Sequence, residues 1–202
     1  MLDRYLSPWV ESALTPMTHY LDDRNVKANH VTLAAFGVGM LALPALAMEW
    51  YVLALILMVI NRLGDGIDGA LARRNQSTEQ GSFLDTTLDF IFYLAMVAGF
   101  VLASELNVFW GALLMLGFAS NGISFLAFSF IAERNALNPD TYPQKGIYYL
   151  ANLVGGTETM IFFVLCCLFP HQFPFFASIF FFICGITTLI RIYKGAQMLN
   201  RY

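Results

Sequence analysis

The chain has 202 residues, of which 58% are hydrophobic and 12% charged, with a net charge of −3 and a mean hydropathy of +0.62. A water-soluble domain of this length carries about twice that charged fraction, so composition excludes an ordinary soluble enzyme and a basic nucleic-acid binder. It predicts a single polytopic membrane domain. Cys166, Cys167 and Cys184 all fall in apolar runs with no metal-binding spacing and read as small apolar fillers. Asp3, Arg4, Pro8 and Glu11 interrupt any apolar core of a cleavable signal sequence.

In chain order, residues 1–22 place Tyr5, Trp9, Leu14 and Met17 among polar residues at helical intervals. This predicts an amphipathic helix lying in the membrane interface, too polar to span. Asp22 to Lys27 is a polar break, and Asn29 is a suitable N-cap for the apolar segment that follows. Apolar segments then cover roughly 31–48, 51–73, 82–103, 108–131, 147–169 and 173–193. Each approaches the ~20 residues needed to cross a bilayer. Polar breaks lie near Glu49-Trp50, Arg73 to Gln80, Ser104 to Asn107, Glu133 to Lys145 and Pro170-His171-Gln172. The fold class predicted is all-α integral membrane, with six transmembrane helices and an N-terminal amphipathic juxtamembrane helix. As one domain over 1–202, it divides into a juxtamembrane helix and linker (1–28), a six-helix bundle (29–195) and a tail (196–202).

Charge distribution orients this layout. All eleven basic residues, from Arg4 and Arg24 through Arg73 and Arg74 to Arg191, Lys194 and Arg201, fall on the side that holds both termini. The turns near Glu49, Glu105 and His171 hold none. The positive-inside rule then puts both termini and the loop near Ser77 in the cytoplasm.

The stretch Asp65 to Asp89 carries the chemistry. Asp65 and Asp68 are spaced i,i+3, and Asp85 and Asp89 i,i+4, so each pair shares one helical face. A turn near Ser77 would bring all four carboxylates to similar depth in an antiparallel hairpin. Unpaired carboxylates are too costly to bury together, so a positive charge must sit among them, and hard divalent cations such as Mg²⁺ take such oxygen ligands. Gly69 and Gly81 let a ligand approach the backbone, and Arg73 offers a fork suited to phosphate. Together these features point to phosphoryl transfer at the membrane interface.

The same stretch resembles the signature of the CDP-alcohol phosphotransferase (phosphatidyltransferase) family, D-x2-D-G-x2-A-R-x7/8-G-x3-D-x3-D. Asp65, Asp68, Gly69, Ala72, Arg73, Gly81, Asp85 and Asp89 fill its eight fixed positions. Asn29-His30-Val31-Thr32 is similar to the start of the family's first span. The resemblance implies transfer of a phosphatidyl group from CDP-diacylglycerol to an alcohol, with CMP released and two Mg²⁺ or Mn²⁺ ions engaged. It implies that Asp65, Asp68 and Asp85 ligate one ion, that Asp65, Asp85 and Asp89 surround a second, and that Asp89 is the catalytic base. Gly69, Ala72, Arg73 and Gly81, with Thr78, Asn29 and Thr32, would line the CDP site. A homodimer is also implied, and the cell inner or plasma membrane is the expected location.

The acceptor is expected to meet polar groups of the later spans: Asn121, Ser124, Arg134, Lys145 and Glu158. Glu158 either faces the cavity or sits at a helix end broken by Gly155-Gly156. Arg134 and Lys145 either hold an acceptor phosphate or anchor at lipid headgroups. Two rival functions stay open. One is a CDP-headgroup transferase acting on diacylglycerol, and the other a divalent-cation transporter, disfavoured by Arg73 and by the absence of repeats.

Overall fold

The computed structural model describes residues 14–75, 78–134 and 154–199. The described residues are helical, with no strand. Helix α1 (14–23) is followed by α2 (Ala28–Met40), α3 (Ala42–Ala47), α4 (Tyr51–Arg74) and α5 (Glu79–Ala103). After a 3₁₀ turn at Glu105–Asn107 come α6 (Val108–Arg134), α7 (Gly156–Leu168), a second 3₁₀ turn at Pro170–Gln172, and α8 (Phe173–Leu199).

Local chemistry sets the breaks. Asn25 and Glu49 adopt left-handed φ values of 57° and 62°. At each, the next amide reaches back over the helix end: Val26 N–H donates to the Leu21 carbonyl at 3.0 Å and Trp50 N–H to that of Ala45 at 2.8 Å. This pairs carbonyls that a helix terminus otherwise leaves without partners. Between α2 and α3 the axis breaks at Leu41, because Pro44 has no N–H to donate to Met40 and its ring crowds that carbonyl. Residues Ala28–Ala47 nevertheless make one apolar rod of 20 residues. The cap of α2 is Lys27, whose side chain makes no cap hydrogen bond, so Asn29 sits inside the first turn and is not the expected N-cap.

Six spans are expected, and among the described residues four helices are long and apolar enough to cross a bilayer: Ala28–Ala47, Glu79–Ala103, Glu105–Phe130 and Pro170–Gln197. Helix α4 has 24 residues, but its C-terminal part carries Arg62, Asp65, Asp68, Arg73 and Arg74. Helix α7 has 13 residues, and the chain before Val154 lies outside the described residues. Residues 1–13, with Tyr5 and Trp9 of the expected interfacial helix, also lie outside them. Helix α1 is moored by Arg74, whose Nε lies 3.2 Å from Asp22 Oδ2, and by Asn75, which donates to Asp22 Oδ1 at 2.8 Å.

The helices approach closely through small residues, as membrane bundles do where lipid offers no hydrophobic drive. An added Cβ at Gly64 of α4 would lie 2.3 Å from Ala35 Cβ of α2. An aromatic column fills the middle: Phe100 stacks on Phe173 with centroids 4.8 Å apart, Phe162 on Phe180 at 4.5 Å, and Tyr93 on Phe118 at 5.9 Å. The three cysteines are buried and free, as expected for fillers. Of the phenylalanines of α8, Phe175 and Phe182 face outward and Phe173 and Phe180 enter the core.

Candidate active site

Helix α4 ends at Arg74 and α5 begins at Glu79, so the predicted hairpin forms around the expected turn. Thr78 starts α5 by accepting the Gly81 N–H on its Oγ1 at 3.0 Å. This satisfies one of the donors that a helix start leaves open. Across the hairpin, ligand oxygens of Asp65, Asp68 and Asp85 all lie within 4.8 Å of one another. Asp68 is buried, and its Oδ2 makes no hydrogen bond. An orphaned carboxylate oxygen facing two further carboxylates is a strongly unfavourable arrangement without a cation. Three hard oxygen donors at this spacing suit a divalent ion. The residues present therefore fit the metal that the motif implies.

Asp89 is placed differently. One turn deeper on α5 than Asp85, it accepts a hydrogen bond on Oδ2 from the Tyr93 hydroxyl at 3.2 Å and faces Arg62 Nη1 across 3.5 Å at Oδ1. Arg62 also meets Asp65, with Nη2 at 2.6 Å from Oδ2, and its Nη1 donates to the Tyr93 oxygen at 3.3 Å. Asp65 and Asp89 thus lie at matched depth, and a guanidinium joins them.

The remaining motif residues gather at the open end. The Arg73 guanidinium folds back along its helix, with Nη1 3.4 Å from where a Gly69 Cβ would stand. Glycine therefore leaves room for that fork beside the carboxylates. Ala72 is half-buried on the same helix. Asn29 Oδ1 and Thr78 Oγ1 each lie 3.1 Å from the Cβ that Gly81 lacks, so α2 and the start of α5 meet at a polar rim. Thr32 donates to the Ala28 carbonyl at 3.1 Å and lines a small cavity with Asn61, Asp65, Asp68, Asp85 and Asp89.

A larger cavity of about 230 Å³ adjoins this one. Asp85 and Asp89 form part of its wall too, facing Tyr93, Asn121, Thr159 and Arg191. Arg191 is 5% exposed on α8, and its Nη1 donates to the Asn121 carbonyl at 2.7 Å, to Asn121 Oδ1 at 3.0 Å and to Ser124 Oγ at 2.8 Å. Among the expected acceptor residues, Asn121 lines the cavity and Ser124 braces Arg191 behind it. Glu158 sits in the first turn of α7, which begins at Gly156, and is not among the residues that line the larger cavity. Lys145 and the side chain of Arg134 lie outside the described residues.

Four residues were not singled out from the sequence: Asn61, Arg62, Tyr93 and Arg191. Asn61 and Arg62 precede Asp65 by one turn on its face of α4, a signal present in the periodicity. Tyr93 follows Asp89 at i+4 in the same way. Arg191 meets Asn121 from 70 residues away, and no local pattern announces that.

The sequence profile of the CDP-alcohol phosphatidyltransferase family matches residues 25–190. The chain belongs to that family, an integral-membrane group of phosphatidyl-transfer enzymes that use divalent metals. It is 45% identical over 196 residues to the inner membrane protein YnjF of Escherichia coli K12, covering 96% of this chain and 95% of that one. An uncharacterised protein of Aquifex aeolicus is 42% identical over 92 residues, covering 44% of this chain and 46% of the relative. The inner membrane protein YnbA of Escherichia coli K12 is 34% identical over 107 residues, covering 50% and 53%. No solved structure matches.

Proposed function

We propose that this protein transfers the phosphatidyl group of CDP-diacylglycerol to a small water-soluble alcohol and releases CMP. The observation that carries this reading is that Asp85 and Asp89 belong to both cavities. A diphosphate at the carboxylate cluster and an alcohol in the larger cavity would meet across Asp89. The alcohol oxygen attacks the phosphorus that bears the diacylglycerol, Asp89 takes the hydroxyl proton, and the bond from that phosphorus to the bridging oxygen breaks, so CMP departs with both bonding electrons. A base must lie within hydrogen-bond reach of the proton it takes, and Asp89 lines the larger cavity one turn further along α5 than Asp85. A divalent ion, Mg²⁺ or Mn²⁺, bound by Asp65, Asp68 and Asp85 would neutralise the diphosphate oxygens. Gly69, Arg73, Gly81, Thr78, Asn29 and Thr32 would hold the cytidine and diphosphate at the rim.

Arg191 favours this reading over a CDP-headgroup donor with diacylglycerol as acceptor. A buried guanidinium beside Asn121 suits an alcohol with further polar or anionic groups, whereas diacylglycerol brings a single hydroxyl on two apolar chains. Orientation follows from the basic residues at the hairpin end of the bundle, with site and termini cytoplasmic in an inner membrane. A homodimer completes the reading.

The test is CMP release by protein purified in detergent, with CDP-diacylglycerol, Mg²⁺ or Mn²⁺, and a panel of serine, glycerol, glycerol 3-phosphate, inositol, inositol phosphate and choline. Release that depends on one alcohol and stops with a chelator supports the proposal. Release only with a CDP-headgroup and diacylglycerol would reverse donor and acceptor, and failure to bind CDP would refute the site.

A further inference from the structure

We infer that Arg62 is a resident cation of the carboxylate cluster, taking the place of a second metal ion, so that this site binds a single divalent ion. The inference rests on the reading of the cluster as a metal site and goes beyond it, since the motif by itself implies two ions.

The carboxylates divide into two groups in space. Asp65, Asp68 and Asp85 bring oxygens within 4.8 Å of one another, whereas Asp89 meets Arg62 and Tyr93. A second ion shared by Asp65 and Asp89 would need the space between them. The Arg62 guanidinium stands there, 2.6 Å from Asp65 Oδ2 and 3.5 Å from Asp89 Oδ1. It serves both carboxylates through its two terminal nitrogens, as a planar fork can and an ammonium cannot.

Two further observations make this seat built, and not a chance meeting of opposite charges. Tyr93, fixed by its ring in the aromatic column, places its oxygen 3.3 Å from Arg62 Nη1. From a third helix, Gly156 leaves the space that the guanidinium occupies. A Cβ at Gly156 would lie 2.9 Å from Arg62 Nη2 and 3.3 Å from Cζ, so a side chain there would push the guanidinium aside. Helices α4, α5 and α7 thus each shape the seat. A divalent ion between Asp65 and Asp89 would have to evict a cation from it or share it with one, and like charges at such distances repel strongly.

The experiment is Mn²⁺ binding to the purified full chain in detergent, read by equilibrium dialysis for stoichiometry and by electron paramagnetic resonance for coupling between ions. The expected result is one tight Mn²⁺ per chain with an uncoupled spectrum. Two tight, spin-coupled ions in the unaltered protein would overturn the inference and leave the metal-site reading intact, whereas no Mn²⁺ binding would overturn both. Arg62→Ala is expected to admit a second ion, with coupling appearing in the spectrum. Arg62→Lys retains a cation and is expected to stay at one. A folded Arg62→Ala protein that still binds one ion would also overturn the inference, because some other feature would then exclude the second.

Discussion

The spacing of α2 and α4 sets the carboxylate geometry, and Gly64→Ala tests this directly. The new methyl would lie 2.3 Å from Ala35 Cβ, both atoms being attached directly to backbone. Carbon atoms rest at about 3.5–4.0 Å, so the helices must part locally by about 1.5 Å. Overpacking of this kind destabilises by roughly 1–3 kcal/mol. The displaced element carries Asp65 next in the chain and Asp68 one turn on, and Thr32 lies one turn from Ala35 on the facing helix. Because a misplacement of about 1 Å at a reacting group can lower turnover roughly a hundredfold, activity is expected to fall further than stability. The assays are melting in detergent, Mn²⁺ affinity and CMP release. Gly37→Ala on α2 is the control: nothing stands within 4 Å of its added Cβ, so it should be neutral or mildly stabilising by about 0.5–1 kcal/mol. Unchanged metal affinity and turnover in Gly64→Ala would refute the claim that this crossing holds the site.

Other outcomes follow from the same geometry. Asp89→Asn should lower turnover by roughly 10²–10⁴-fold, the usual worth of a general base, while CDP-donor binding persists; full activity would remove Asp89 from that role. Asp68→Asn should weaken Mn²⁺ binding severely, and an unchanged titration would count against the trio as ligands. Arg191→Ala should raise the acceptor KM by roughly ten- to a hundredfold, from loss of charge-assisted bonds worth about 1.5–3 kcal/mol, with the donor KM little changed; an equal effect on both substrates would point to lost packing instead. Asn107→Ala removes the amide that donates to the Phe100 carbonyl at 2.7 Å and should destabilise the α5–α6 corner by about 1–3 kcal/mol without altering metal affinity.

What could be read from the sequence was whatever repeats within a helical turn or stands out against an apolar background. The aspartate pairs announced themselves because charged residues are rare in such a chain, and their spacing alone put each pair on one face. Thr78 lies in the polar turn and Gly81 just after it, and the resemblance to the family motif named both. The positive charge required among four carboxylates was foreseen as metal alone; that a guanidinium also sits there was not, although Arg62 precedes Asp65 on the same face. Arg62 had been counted among the residues that set membrane orientation, and one side chain serves one such purpose in a linear reading. Asn121 was named without its partner, because contact between α6 and α8 is a matter of tertiary packing. Helix α7 begins at Gly156, and the start of the apolar segment expected there, residues 147–153, lies outside the described residues.

Helix α5 is common to both cavities, and the other walls are divided: α2 and α4 enclose the carboxylate cavity, while α6, α7 and α8 complete the larger one. The protein is therefore separable in an evolutionary sense. Substitutions at Asn121, Phe125 or Arg191 can reshape what enters the larger cavity without moving any of the residues that gather around Asp68. A lineage of such proteins can exchange one alcohol for another by drift on two helices, under a reaction kept constant by the hairpin.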